Sequence, residues 1–192
     1  MNKKLLLYIT IIILLIVVTV GGTYAYFSIL VRGVGNDVTA TSSNFDIIYH
    51  GGTPINKEMS MSIDKKGGYS TTVDIGLTND TNITVTADIL LNINTISDNL
   101  KINGFKWESY RVEGNNEIKV QEGNFSNASN GSIIQLVSHY KLPTNPVKQT
   151  YFKIYLWLDG NDSSVGSSVA DETASFSGFI SAQTEKVTGV LE

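Results

Sequence analysis

The chain has 192 residues, 18 acidic against 14 basic, and a formal charge of −4, with its few lysines and arginines scattered. That balance excludes the basic stripe that would point to nucleic acid or an anionic membrane surface. It has no cysteine, so a disulfide framework and thiol chemistry are both closed to it.

Met1-Asn2-Lys3-Lys4 is short and basic, and residues 5–27 then run without a charge, densest in Leu, Ile and Val up to Val20. Left in water, such a helix would cost on the order of tens of kcal/mol, so it needs lipid, a translocon or a protein groove. Two readings fit it. As a secretory signal it has a basic start, an apolar stretch, the helix-breaking Gly21-Gly22 pair and the small-x-small step Thr23-Tyr24-Ala25, with cleavage after Ala25 at Tyr26 or Phe27. As an anchor it is long enough to cross a bilayer, with Lys3 and Lys4 holding the N-terminus inside. Either way the remainder is exported. Residues 1–27 are therefore a signal or anchor helix, 28–37 a flexible apolar-to-polar segment and 38–192 the folded body. Cleavage leaves Tyr26, Phe27, Ser28, Ile29, Leu30 and Val31 as an apolar, strand-prone tail. Such a tail pairs with its own sheet or adds a strand to a neighbour's.

The body reads as β throughout. Residues 45–49 form a short strand that Gly51-Gly52-Thr53-Pro54 breaks. Met59, Met61 and Ile63 alternate with polar residues and predict a half-buried strand over 59–64. Lys65-Lys66-Gly67-Gly68 is a turn. Residues 69–78 alternate again, with Val73, Ile75 and Leu77 on one face, and 83–93 carry Val85, Ala87, Ile89 and Leu91 on another. Residues 95–102 are the only weak helical candidate. A hairpin is predicted from 104–112 and 117–121, with Phe105, Trp107 and Ser109 pointing one way. An Asn/Ser/Gly-rich loop follows at 124–132, then a strand at 133–137 and a two-proline connection. Residues 151–158 carry large groups on both faces, which predicts a central strand, and 174–183 close the body. Seven to nine short strands separated by turn signals predict an all-β, antiparallel two-sheet sandwich.

Catalytic patterns are sparse. A zinc hydrolase needs two histidines at helical spacing with a glutamate between and a third ligand. Only His50 and His139 exist, far apart, and they read as exposed loop residues. No Gly-x-Ser-x-Gly elbow or phosphate-cradling glycine loop appears, and no residue set points to a cofactor or metal. Asp159-Gly160-Asn161-Asp162 has the oxygens of a calcium loop but lacks its later glutamate and reads as a turn. Leu142-Pro143-Thr144-Asn145 lacks the final glycine of a sortase signal. Trp107, Tyr110 and Trp157 are contact candidates for a protein or glycan partner, though such residues more often belong to the core.

The run Gly21-Gly22-Thr23-Tyr24-Ala25-Tyr26-Phe27-Ser28 resembles the leader boundary of the TasA–camelysin family of Gram-positive bacteria. Residues 40–47, 65–82, 155–159 and 176–183 are similar to strands and turns of that family. The resemblance implies processing by a SipW-type signal peptidase, a jelly-roll-like sandwich at the cell surface or in the biofilm matrix, and fibres built by donating an N-terminal strand to the next subunit. The expectation is an exported, non-catalytic structural protein whose donor strand is Tyr26 to Val31. The alternatives are a membrane-anchored ectodomain that binds a protein or glycan and, behind it, a camelysin-like metallopeptidase.

Overall fold

A computed structural model describes residues 28–31, 37–41, 46–78, 84–144, 148–166 and 174–187. The leader, with Thr23, Ala25, Tyr26 and Phe27, lies outside the described residues, as does the turn expected at 79–82.

Alternating residues build nearly everything described. The strands are β1 (Ser28–Val31), β2 (Asp37–Thr41), β3 (Asp46–His50), β4 (Ile55–Glu58), β5 (Met61–Ser62), β6 (Tyr69–Leu77), β7 (Thr84–Ile96), β8 (Phe105–Glu113), β9 (Asn116–Asn124), β10 (Ile133–Lys141), β11 (Thr150–Asp159) and β12 (Ser175–Val187). They form two antiparallel sheets packed as a sandwich. The first runs β1-β12-β7-β10, with β4 also on β12, and the second runs β2-β3-β6-β11-β8-β9, with β5 on β11. All pairings are antiparallel except the two-residue contact of β5 with β11.

The core lies between the inner faces. β7 contributes Val85, Ala87, Ile89, Leu91 and Ile93, and β11 contributes Phe152, Ile154, Leu156 and Leu158, all buried. This is the period-two pattern of a strand with one face inward. β11 is central, between β6 and β8. Phe105, Phe125 and Phe176 form an aromatic group that joins the two sheets. The first two stack at 4.2 Å, and Phe176 meets both edge-on at 5.7 and 5.4 Å. The β8–β9 hairpin turns in two residues. Gly114 takes φ +60° there, a conformation that costs glycine little.

Several expectations are corrected. The half-buried strand over 59–64 does not form: Met61 is 50% and Ile63 81% exposed, and only Met61–Ser62 is a strand. The reason is edge competition. β6 begins opposite Leu156 of β11, so only the last three residues of β11 lie beyond it, and β5 pairs with two of them, Leu158 and Asp159. The chain then folds back through a short 3-10 turn, Lys65–Gly67, capped by the Asp64 carboxylate accepting from the N–H groups of Lys66 and Gly67. The strand here is instead β4, one apolar residue and three polar ones, held by its ladder with β12. The helical candidate at 95–102 is the end of β7 plus one 3-10 turn, Asp98–Leu100. The stretch 40–47, compared above with one strand, falls across the end of β2 and the start of β3.

Truncating Phe176 to alanine removes the ring that both other aromatics meet. We expect Phe176→Ala to lower unfolding free energy by about 3–5 kcal/mol in urea titration. A loss below about 1 kcal/mol would mean that this aromatic group does not join the sheets.

Candidate functional site

Ser28–Val31 pairs with the chain's own β12 over Ser28↔Glu185, Ile29↔Thr184, Leu30↔Gln183 and Val31↔Ala182. Of the two possibilities left by the sequence, own sheet or neighbour's, this structure holds the first. β4 occupies the other end of the same β12 edge, from Ser175↔Glu58 to Gly178↔Ile55. Between them, Phe179, Ile180 and Ser181 face neither strand. β12 thus has one edge covered continuously by β7 and the other by two four-residue strands laid end to end.

A second feature lies on the outer face of the seven-strand sheet, where β8 and β11 present Lys106, Glu108, Tyr110, Lys153, Tyr155, Trp157 and Asp159. Tyr110 and Tyr155 meet edge-on at 5.7 Å. Lys65, from the 3-10 turn, places its ammonium 3.5 Å from the Tyr110 ring centre and 5.0 Å from that of Tyr155. The turn can lie this flat because residue 68 is glycine: a Cβ there would stand 2.4 Å from the Leu156 carbonyl oxygen. Glu108 accepts from Lys65 at 3.2 Å, from Lys119 and from the Tyr110 hydroxyl. Glu117 accepts from Lys153 at 2.9 Å and from the Tyr155 hydroxyl at 2.8 Å.

Electrostatics follow from these contacts. Burial pushes the Glu108 carboxyl up, but hydrogen bonds from Lys119, Tyr110 and Lys65 outweigh it and hold the pKa below its ordinary value. The hydrogen bond from Lys153 lowers Glu117, with help from Tyr155. The acceptors here are matched by donors, so the cluster behaves as a brace across β8, β9, β11 and the 65–67 turn. Beside it, a shallow groove of about 430 Å³ is lined by Lys106, Glu108, Glu122, Asn124, Trp107 and Trp157.

The Asp159–Asp162 loop is organised by a lysine. The Lys106 ammonium lies 2.8 Å from Asp159 and 3.1 Å from Asp162. The remaining oxygens cap the loop: Asp159 accepts from the Asn161 N–H, and Asp162 from the N–H and hydroxyl of Ser164. Those Ser164 bonds, then Lys106, bring Asp162 down to about 2. The carboxylates are spent on a turn and one ammonium, which does not suit Ca²⁺.

The histidines do not meet. Both lie in strands rather than loops, His50 at the end of β3 and His139 within β10, so they belong to different sheets. His50 sits 2.7 Å from the Asp74 carboxylate. His139 occupies a bulge at φ +48°, where its N–H donates to the Asp88 carboxylate instead of the ladder. Of the aromatic contact candidates, Trp107 is in the main core, while Tyr110 and Trp157 join Tyr155 on the outer face, each under 9% exposed. Lys65, Glu108, Glu117, Lys119 and Lys153 were not singled out by sequence. Their signal was the large side chains on the outer face of β11.

The sequence matches no protein-family model and no curated protein.

Replacing Glu108 with glutamine leaves Lys65 and Lys119 without their shared anion and should cost about 1 kcal/mol in urea unfolding at pH 7. The depressed carboxylates set the pH dependence. Their stabilisation is complete above the unfolded carboxylate range and is lost as pH falls through the folded values toward about 2, the Asp162 value. The urea midpoint should fall between roughly pH 5 and pH 2, less steeply for Glu108→Gln. An identical slope in both proteins would contradict the role of Glu108.

Proposed function

We propose that this chain is an exported, non-catalytic structural protein of a bacterial surface or matrix, and that it assembles by exchange of its N-terminal strand. The observation that carries the reading is the β1–β12 pairing. β1 is four residues long, sits at a sheet edge, follows an apolar leader, and bonds to β12 in a register that a second copy's β1 would reproduce. The resemblance of residues 21–28 to the TasA–camelysin leader boundary supports the same reading, with a SipW-type peptidase releasing Tyr26 and Phe27 and a jelly-roll-like path for the sandwich. Against a zinc peptidase stand the two histidines, held in separate sheets and each beside an aspartate. The second reading is a retained anchor with the body binding a polar partner, and the groove bordered by Trp157 and Asn124 favours it.

Deleting residues 26–31 should leave a folded monomer, because β12 keeps β7 and β4. The truncated protein should form no fibres under the electron microscope where the processed full-length protein does. Fibres from the truncated protein would overturn the proposal.

A further inference from the structure

β9 is the last strand of the seven-strand sheet, and among the described residues its only sheet neighbour is β8. It is nine residues long and mostly exposed, with Ile118 and Val120 each 40% exposed. A long edge strand with unpaired backbone and exposed apolar groups is a template for another strand. What such a strand accepts depends on which backbone groups point outward and which charges flank them.

The hairpin settles the first point. Glu113↔Asn116 closes the two-residue turn, and Val112↔Glu117, Arg111↔Ile118 and Tyr110↔Lys119 follow in register. Pairs in an antiparallel ladder alternate between bonded and non-bonded, starting from a bonded pair at a two-residue turn. Asn116 and Ile118 therefore bond to β8, while Glu117 and Lys119 direct their N–H and C=O groups away from the sheet. A new partner must bond to residues 117 and 119. Beyond Lys119 a bulge breaks the regular ladder between Ser109 and Tyr110 of β8.

Charge settles the second point. If the partner is a second copy of β9, antiparallel pairing centres a twofold axis on one residue. An axis through residue 117 places Glu117 opposite itself, and an axis through 119 does the same with Lys119. An axis through 118 sets Glu117 opposite the other copy's Lys119, twice, with each pair bonded through its backbone, while Glu117 keeps Lys153 and Tyr155 and Lys119 keeps Glu108 within their own sheet. Ile118 then faces its own mate as a non-bonded pair, where side chains approach closest. The outward backbone groups, the alternating charge and the exposed isoleucine all select this one register. Ile118 is 40% exposed and lies outside the buried core, paired with Arg111, which donates to the Tyr140 hydroxyl at 3.2 Å.

We infer that two copies of this chain associate through β9, antiparallel about Ile118, extending the seven-strand sheet across a twofold axis. This surface is separate from the β1–β12 edge and does not depend on strand exchange there. The contact is short, so the association is weak and concentration-dependent.

The chain contains no cysteine, which makes a single-cysteine test clean. In the full chain held in detergent, Ile118→Cys places one thiol on the axis, and Val120→Cys, equally exposed, places one off it. Under mild oxidation Ile118→Cys should form a disulfide-linked dimer at least about tenfold faster, since Cα atoms of an axial non-bonded pair lie within disulfide reach. Adding Lys119→Glu should slow that cross-link about tenfold by setting like charges opposite, and adding Glu117→Lys as well should restore it, with the urea midpoint of each variant separating this from loss of the contacts to Glu108 and Lys153. Equal rates for the two single-cysteine chains, no cross-link at all, or no response to the charge changes would overturn the inference.

Discussion

The antiparallel ladder between β7 and β12 is the element on which the rest of the structure depends. It runs from Phe176↔Ile96 to Val187↔Thr84 with one irregularity, at Ser177 and Gly178. Through it Ile180, Ala182 and Thr184 align with the inward residues of β7, and both rows press on β11 and its neighbours. Because the two strands are far apart in sequence, the ladder also sets how the N-terminal segment can be held. β12 spends one edge on β7 and leaves the other to short strands.

That asymmetry leaves unpaired backbone at the sheet edges. The inner faces are filled by aliphatic and aromatic groups, and the outer face of the seven-strand sheet is tied up in carboxylate, ammonium and phenol contacts. These contacts brace the sheet. Among the described residues, backbone N–H and C=O groups stay open to pairing along the edge strands β2, β9 and β10, and along β12 when β1 leaves it.

Much of the fold was legible because its long strands bury one face. β7, β8, β11 and β12 declare themselves by alternation, and β11 declares its central place by Tyr155 and Trp157 opposite Ile154 and Leu156. Alternation failed where the partner edge was missing: Met61 and Ile63 have the pattern of a strand but no ladder beyond two residues. It was silent at Ile55–Glu58, whose single apolar residue carries no period and whose strand exists only through β12. The outer-face cluster depends on Lys65 and Glu108, distant in sequence and joined only when the 65–67 turn lies on β11. The strand tendency of Ser28 to Val31 was readable; its register against residues 182–185 was not, because nothing local specifies it.

The central claim is that β1 can serve another copy's β12 in the register it uses at home. Two single-cysteine chains, Leu30→Cys and Gln183→Cys, test it directly, because Leu30 stands opposite Gln183. Produced together and assembled, they should yield a mixed disulfide that links one copy's residue 30 to the other's residue 183. A disulfide that forms only when both cysteines are in the same chain would contradict strand exchange and confine β1 to its own sheet.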